Sequence, residues 1–275
     1  MILTIAEIKL ARIVSMFRKI VLFIIILTVL FTASVLFGVV SADCPTYSWY
    51  CIRVKNHARP PLPSEFQEIK KYDGYYIGND PDKKVVYLTF DAGYENGNVT
   101  KILDVLERNS VKGAFFILNN LIKSSPDLVK RMGNDGHLVC NHTANHKDMS
   151  VVANYNAFAK EILSLETLYE STTERKISKF FRPPEGKFST KTLEYARAMG
   201  YKTIFWSFAY ADWDNNNQAS EEFAIKKIMD NIHNGAVLLL HPTSETNAKI
   251  LDKVIKEIKA RGYRFGTLDE LTKNA

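Results

Sequence analysis

A chain of 275 residues, 46% hydrophobic and 24% charged, can bury a full core and has room for one large domain or two small ones. Its formal net charge of +6 overstates the basicity of the folded part, because Lys9, Arg12, Arg18 and Lys19 precede Asp43 with only Glu7 to oppose them, and half the excess goes with them. So modest a balance excludes nucleic acid as the natural partner and suits an anionic cell wall or an ordinary solvated surface equally well.

The first element in chain order is an uncharged run, residues 20–40, long enough to cross a bilayer. Basic residues ahead of it keep the amino end in the cytoplasm and export the chain beyond the run. Small residues at Ser41 and Ala42 then offer a signal-peptidase site. Residues 1–42 are therefore expected to be a basic segment with either a signal peptide cleaved after Ala42 or an uncleaved membrane anchor. Residues 43–75, centred on "NHARPPLPS", show no clear period and read as a linker or strap ahead of a domain over 76–275. In an exported chain Cys44 and Cys51 can pair across a short loop, while Cys140, inside a predicted strand, stays buried and reduced.

From Val85 the pattern turns to short apolar runs, each followed by a stretch of helical spacing. Strands are predicted over 85–90, 113–118, 137–140, 179–182, 202–208, 236–240 and 263–266, and helices over 100–110, 126–136, 154–172, 190–200 and 248–262. The alternation predicts an α/β fold of βα units with parallel strands, and seven strands come close to a barrel.

Asp91, Asn141 with His142, Arg182, Asp212 and His241 each lie at or just beyond the carboxyl end of a predicted strand. In a parallel barrel those ends converge on one face, where the loops build an active site, so polar residues far apart in the chain become neighbours. His142 and His146, four apart in "NHTANH", can turn both imidazoles toward one point as metal ligands. In "RPPEG" two prolines hold the backbone extended and fix the direction of Arg182, whose fork of donors suits a carboxylate. His137 lies inside a strand and reads as a packing residue.

In order along the chain, "TFDAG", "HTANH", "RPPEG", the Asp212–Trp213 pair and "LLLHP" resemble the five motifs of the polysaccharide deacetylases, carbohydrate esterases of the NodB type, over residues 85 to about 270. "YENG", "YDGYYIGN", "NHARPP" and "NNNQ" are most similar to the branch that deacetylates N-acetylmuramic acid in spore-cortex peptidoglycan, a step toward muramic δ-lactam. The resemblance implies an irregular (β/α)7 barrel acting on peptidoglycan glycan strands, with a divalent metal, Zn2+ or Co2+, on His142 and His146. It further implies Asp91 as general base, His241 as general acid, Arg182 orienting Asp91, and Tyr94, Pro184 and Trp213 as sugar contacts. Asp212 would tune His241 or pair with Arg182. A monomer is expected.

One position departs from the family pattern. The usual second acid after Asp91 is here Ala92, whose methyl group cannot ligate a cation. The δ-lactam branch is also known for lacking that acid, so water or a neighbouring oxygen would complete the coordination. Two readings compete with this one: a deacetylase of N-acetylglucosamine in peptidoglycan or a chitin-like polymer, and a wall-binding protein without catalysis, for which Ala92 is the motive.

Overall fold

The computed structural model describes residues 16–24 and 44–273. Most of the expected membrane-targeting run, and the site after Ala42, lie outside the described residues. Residues 16–24 are helical, and among the described residues no helix is long and apolar enough to cross a membrane. A separate compact unit begins at Pro45.

The strands of that unit are β1 (Thr46–Ser48), β2 (Gly74–Tyr75), β3 (Val85–Ala92), β4 (Ala114–Ile117), β5 (Leu138–Asn141), β6 (Ser178–Phe181), β7 (Lys187–Ser189), β8 (Lys202–Ile204), β9 (Ala236–Leu240) and β10 (Arg264–Gly266). Eight of them form one curled parallel sheet. From one edge of β3 the order runs β4, β5, β6, β8, β2, and β9 pairs along its other edge. Single bridges from Ile77 to Ala236 and from Phe208 to Leu238 join the far end back to β9. The last predicted strand is present as β10 but is no stave of this ring. It shares an edge of β3 with β4, pairing with residues 85–87 where β4 pairs with 89–92. The strap supplies the stave instead, through β2.

Alternation along β3 sorts its side chains by face. Val86, Leu88, Phe90 and Ala92 pack on the helix side, while Val85 and Tyr87 join Phe116, Cys140, Phe180, Ile204 and Val237 in the barrel interior. The surrounding helices are α1 (Asn98–Arg108), α2 (Asn119–Ser124), α3 (Pro126–Asn134), α4 (Tyr155–Thr173), α5 (Thr190–Ala198), α6 (Glu221–Asn231), α7 (Glu245–Ala260) and α8 (Leu268–Leu271). In α7 the Ser244 hydroxyl accepts from the Asn247 N–H as N-cap, and Ile250, Leu251, Val254, Ile255 and Ile258 form the buried stripe. Sequence reading passed over α6, where only Ala224, Ile228 and Met229 are buried between charged neighbours.

The strap is part of the core. Trp49 is 5% exposed, stacks on Phe205 at 4.3 Å and on Phe66 at 5.0 Å between ring centroids, and donates its indole N–H to the Trp206 carbonyl at 2.9 Å. Replacing it with Ala removes these ring contacts and leaves a cavity, at a cost of about 3–5 kcal/mol. Thermal unfolding of Trp49→Ala beside the parent checks this, and an unchanged melting temperature would make the strap a mere tether. The pairing open to Cys44 and Cys51 is not formed: both thiols are free, with β1 running extended between them, and Cys140 is a buried free thiol.

Candidate active site

Residues two apart on a strand share a face, so β3 turns Thr89 and Asp91 inward together. Arg182, the first residue after β6, reaches across to both. Its guanidinium is wholly buried and donates to Asp91 Oδ1 at 2.7 Å, to Thr89 Oγ1 at 2.9 Å and to the Ile204 carbonyl at 3.0 Å, lying 4.2 Å over the Phe116 ring. The turn behind it needs glycine. Gly186 has φ 68°, and a Cβ there would come within 2.8 Å of both Trp206 and Trp49.

His142 follows β5 and is buried. Its Nδ1 stands 2.8 Å from the Arg182 carbonyl oxygen, a bond only an Nδ1–H can make, so the Nε2 lone pair is left facing Asp91 Oδ2 at 3.6 Å. Burial, outweighing the pull of Asp91, brings its pKa down to about 4 and keeps the ring neutral. His146, exposed on the same loop, sets its ring 5.0 Å from that of His142. The loop takes two left-handed residues, Thr143 with φ 73° and His146 with φ 57°. The Thr143 hydroxyl accepts from the His146 N–H, and the Glu161 carboxylate on α4 accepts from the backbone and side chain of Asn145.

Two adjacent imidazoles, one neutral and oriented by a carbonyl, fit a divalent cation as donors. Among the described residues no three His, Cys, Asp or Glu side chains gather into a metal cage. Ala92 adds no donor, its methyl group being fully buried with the helix-side residues.

Beside Asp91 stands the second pair. Phe90 of β3 pairs with Leu240 of β9, so Asp91 and His241 emerge side by side from adjacent strands. Asp212 Oδ1 accepts from His241 Nδ1 at 2.7 Å and Oδ2 from the His241 backbone N–H at 2.9 Å. Of the two partners open to it in the sequence, Asp212 is therefore committed to His241. Burial disfavours the imidazolium, but the hydrogen bond to Asp212 and its charge outweigh that and raise the His241 pKa. Burial likewise pushes against the ionised form of Asp91, and the Arg182 charge, helped by its hydrogen bond and by His241, overcomes it and holds the carboxyl below its ordinary value. At neutral pH the site holds an ionised Asp91 beside an imidazole biased toward its charged form.

At the rim Tyr94 is 43% and Trp213 64% exposed, and Asn215 donates to the Tyr94 hydroxyl, linking the two loops. Pro184 is buried inside its turn. Thr89, which sequence reading missed, was legible from its two-residue spacing to Asp91. The amide of Asn247 behind Asp212 was not.

A carboxylate and an imidazole facing one mouth, each oriented by a charged partner, with two further imidazoles beside them, define a hydrolytic acid–base enzyme. The chain belongs to the polysaccharide deacetylase family, whose model matches residues 78–204. It is similar to the peptidoglycan-N-acetylmuramic acid deacetylase PdaA of Bacillus subtilis, 38% identical over 225 residues, or 82% of this chain and 85% of that protein. A peptidoglycan-N-acetylglucosamine deacetylase of Bacillus cereus is 31% identical over 210 residues, covering 75% of this chain and 74% of its own. The solved structure of B. subtilis PdaA, a family 4 carbohydrate esterase, superposes with a TM-score of 0.79 at 36% identity, covering 82% of this chain and 96% of that one. The curled parallel sheet with its helices is that family's fold, and the protein is a hydrolase of N-acetyl amide bonds.

Proposed function

We propose that this chain is exported and removes the acetyl group from N-acetylmuramic acid in peptidoglycan glycan strands, a step toward the muramic δ-lactam of spore cortex. The observation that carries the chemistry is the emergence of two oriented pairs, Asp91 with Arg182 and His241 with Asp212, from the adjacent strands β3 and β9. Supporting the substrate is the greater similarity to the muramic acid deacetylase than to the glucosamine deacetylase.

Amide hydrolysis needs a deprotonated water, a place for charge on the carbonyl oxygen and a proton for the departing amine. Asp91 takes the proton of the attacking water, held ionised and aimed by Arg182. His241 delivers a proton from Nε2 to the amine nitrogen as the C–N bond breaks, while Asp212 keeps Nδ1 protonated. His142 and His146 would hold a divalent ion, zinc or cobalt, with water completing its shell in place of an acid at Ala92. When bound there it would supply Lewis acidity toward the acetyl carbonyl and the attacking water. Tyr94 and Trp213 present aromatic faces at the rim on which a sugar ring can stack.

Mass spectrometry of muropeptides after incubation of peptide-stripped glycan with the protein tests this. Muramic acid is expected to lose its acetyl group, with the reaction stopped by chelator and restored by Zn2+. Loss of acetyl from glucosamine instead would shift the substrate to the competing sugar. Glycan binding with metal present and no acetate release would leave the wall-binding reading that Ala92 motivates.

A further inference from the structure

We propose that Asn247, backed by Tyr210, is a positioning residue whose side-chain amide locks Asp212 so that the carboxylate presents His241 with Nδ1 protonated and Nε2 turned to the site. The inference rests on the reading of His241 as general acid and adds two residues to that half of the machinery.

Asn247 is the third residue of α7 and only 1% exposed. Its backbone N–H is already used by the Ser244 cap, so the side chain has no part in closing the helix end. The amide turns inward instead. Nδ2 donates to Asp212 Oδ2 at 2.6 Å and to the His241 carbonyl at 3.1 Å, and Oδ1 accepts from the Tyr210 hydroxyl. Both amide hydrogens and the oxygen are engaged, and a flipped amide would set its oxygen against the carboxylate. Only an uncharged group that donates on one side and accepts on the other fits between Tyr210 and Asp212.

The effect on Asp212 comes from counting its bonds. Oδ2 is held by two donors, the His241 backbone N–H and the Asn247 amide, which leaves Oδ1 for the imidazole. Without Asn247 the carboxylate keeps a single fixed donor on Oδ2 and gains rotation about its Cβ–Cγ bond. The imidazole then loses its alignment, although no group touching the substrate has changed. Tyr210, two residues ahead of Asp212 on the same loop, ties this chain of bonds back to its own backbone. Burial and the nearby Asp212 charge both raise its pKa, so it stays a protonated donor.

The test uses the full chain, with Asn247→Ala, Asn247→Asp and Tyr210→Phe beside the parent, and two readouts. One is the pH profile of kcat and KM for glycan deacetylation. The other is the ring 15N titration of His241 by NMR without substrate. The charged groups facing that ring are Asp212, Asp91 from β3 and Arg182 beyond β6. Asn247→Ala is expected to lose about 10–100-fold in kcat with KM little changed, a loss typical of removing a group that orients a functional imidazole. Its alkaline limb and the His241 titration both move to lower pH. In Asn247→Asp a protonated carboxyl donates to Asp212 and accepts from Tyr210, so activity returns on the acid side and fades as the new carboxyl ionises. Tyr210→Phe moves both readouts in the direction of Asn247→Ala, by less.

Lower melting temperatures with an unmoved pH profile and an unmoved His241 titration would overturn the inference and leave Asn247 a structural residue. A parent that releases no acetate, together with a His241 titration that shifts in Asn247→Ala, would place the failure in the proposed function and sustain the positioning role.

Discussion

Asp91→Asn is expected to reduce acetate release by about 10²–10⁴-fold, the contribution of a positioned general base. The substitution keeps size and shape, so the loss falls on kcat while glycan binding persists. It also leaves the Arg182 guanidinium, wholly buried, facing a neutral amide, so some stability goes with the rate. Steady-state kinetics and thermal unfolding on one preparation separate the two effects. Parental turnover in this variant would remove Asp91 from the proton-transfer chemistry.

Arg182→Met should cost more in stability than any surface change, about 3–5 kcal/mol, because it strands the Asp91 carboxylate in a mostly buried position without its cation. For a domain of this size each kcal/mol lowers Tm by roughly 2–4 °C. The pH dependence carries a sign. Asp91 ionises below its ordinary value in the folded protein, so its contribution is complete above an unfolded pKa of about 3.9 and is lost as pH falls through the lower folded value. In Arg182→Met that acid-labile contribution disappears, and stability measured from neutral pH downward should fall less steeply than in the parent. Arg182→Lys should not rescue it, since an ammonium cannot serve Asp91, Thr89 and the Ile204 carbonyl from one plane. A Lys variant as stable as the parent would show that charge alone matters there.

How much of the fold was legible in the sequence depends on how strongly burial constrains each stretch. The predicted strand 236–240 coincides with β9 because all five residues are buried, and the run opened by Val85 extends as β3 through Asp91 and Ala92. The strand predicted over 202–208 stops at Ile204. Beyond it the chain bends, with the Phe205 N–H bonded to the Tyr75 carbonyl and Phe208 bridging to Leu238. β1, β2 and β7 are two or three residues long, too short to show a period, and their partners alone define them. Asp91, His142, Arg182 and His241 were visible as polar residues ending apolar runs, a signal that barrel topology turns into proximity. Asn247 gave none, because "SETN" at the start of a helix reads as capping, and nothing local tells that Ser244 caps while Asn247 points elsewhere.

The ring's closure has a mechanical consequence for the two halves of the site. Asp91 and His241 ride on β3 and β9, a pair bonded through five successive residues, and the segment between β8 and Asp212 is tied to β9 as well, the Ser207 and Phe208 N–H groups donating to the Val237 carbonyl and the Leu239 N–H to the Phe208 carbonyl. Asp91, His241 and Asp212 are thus carried by backbone bonded to one common strand, so their spacing is set by the sheet and not by side-chain contacts alone.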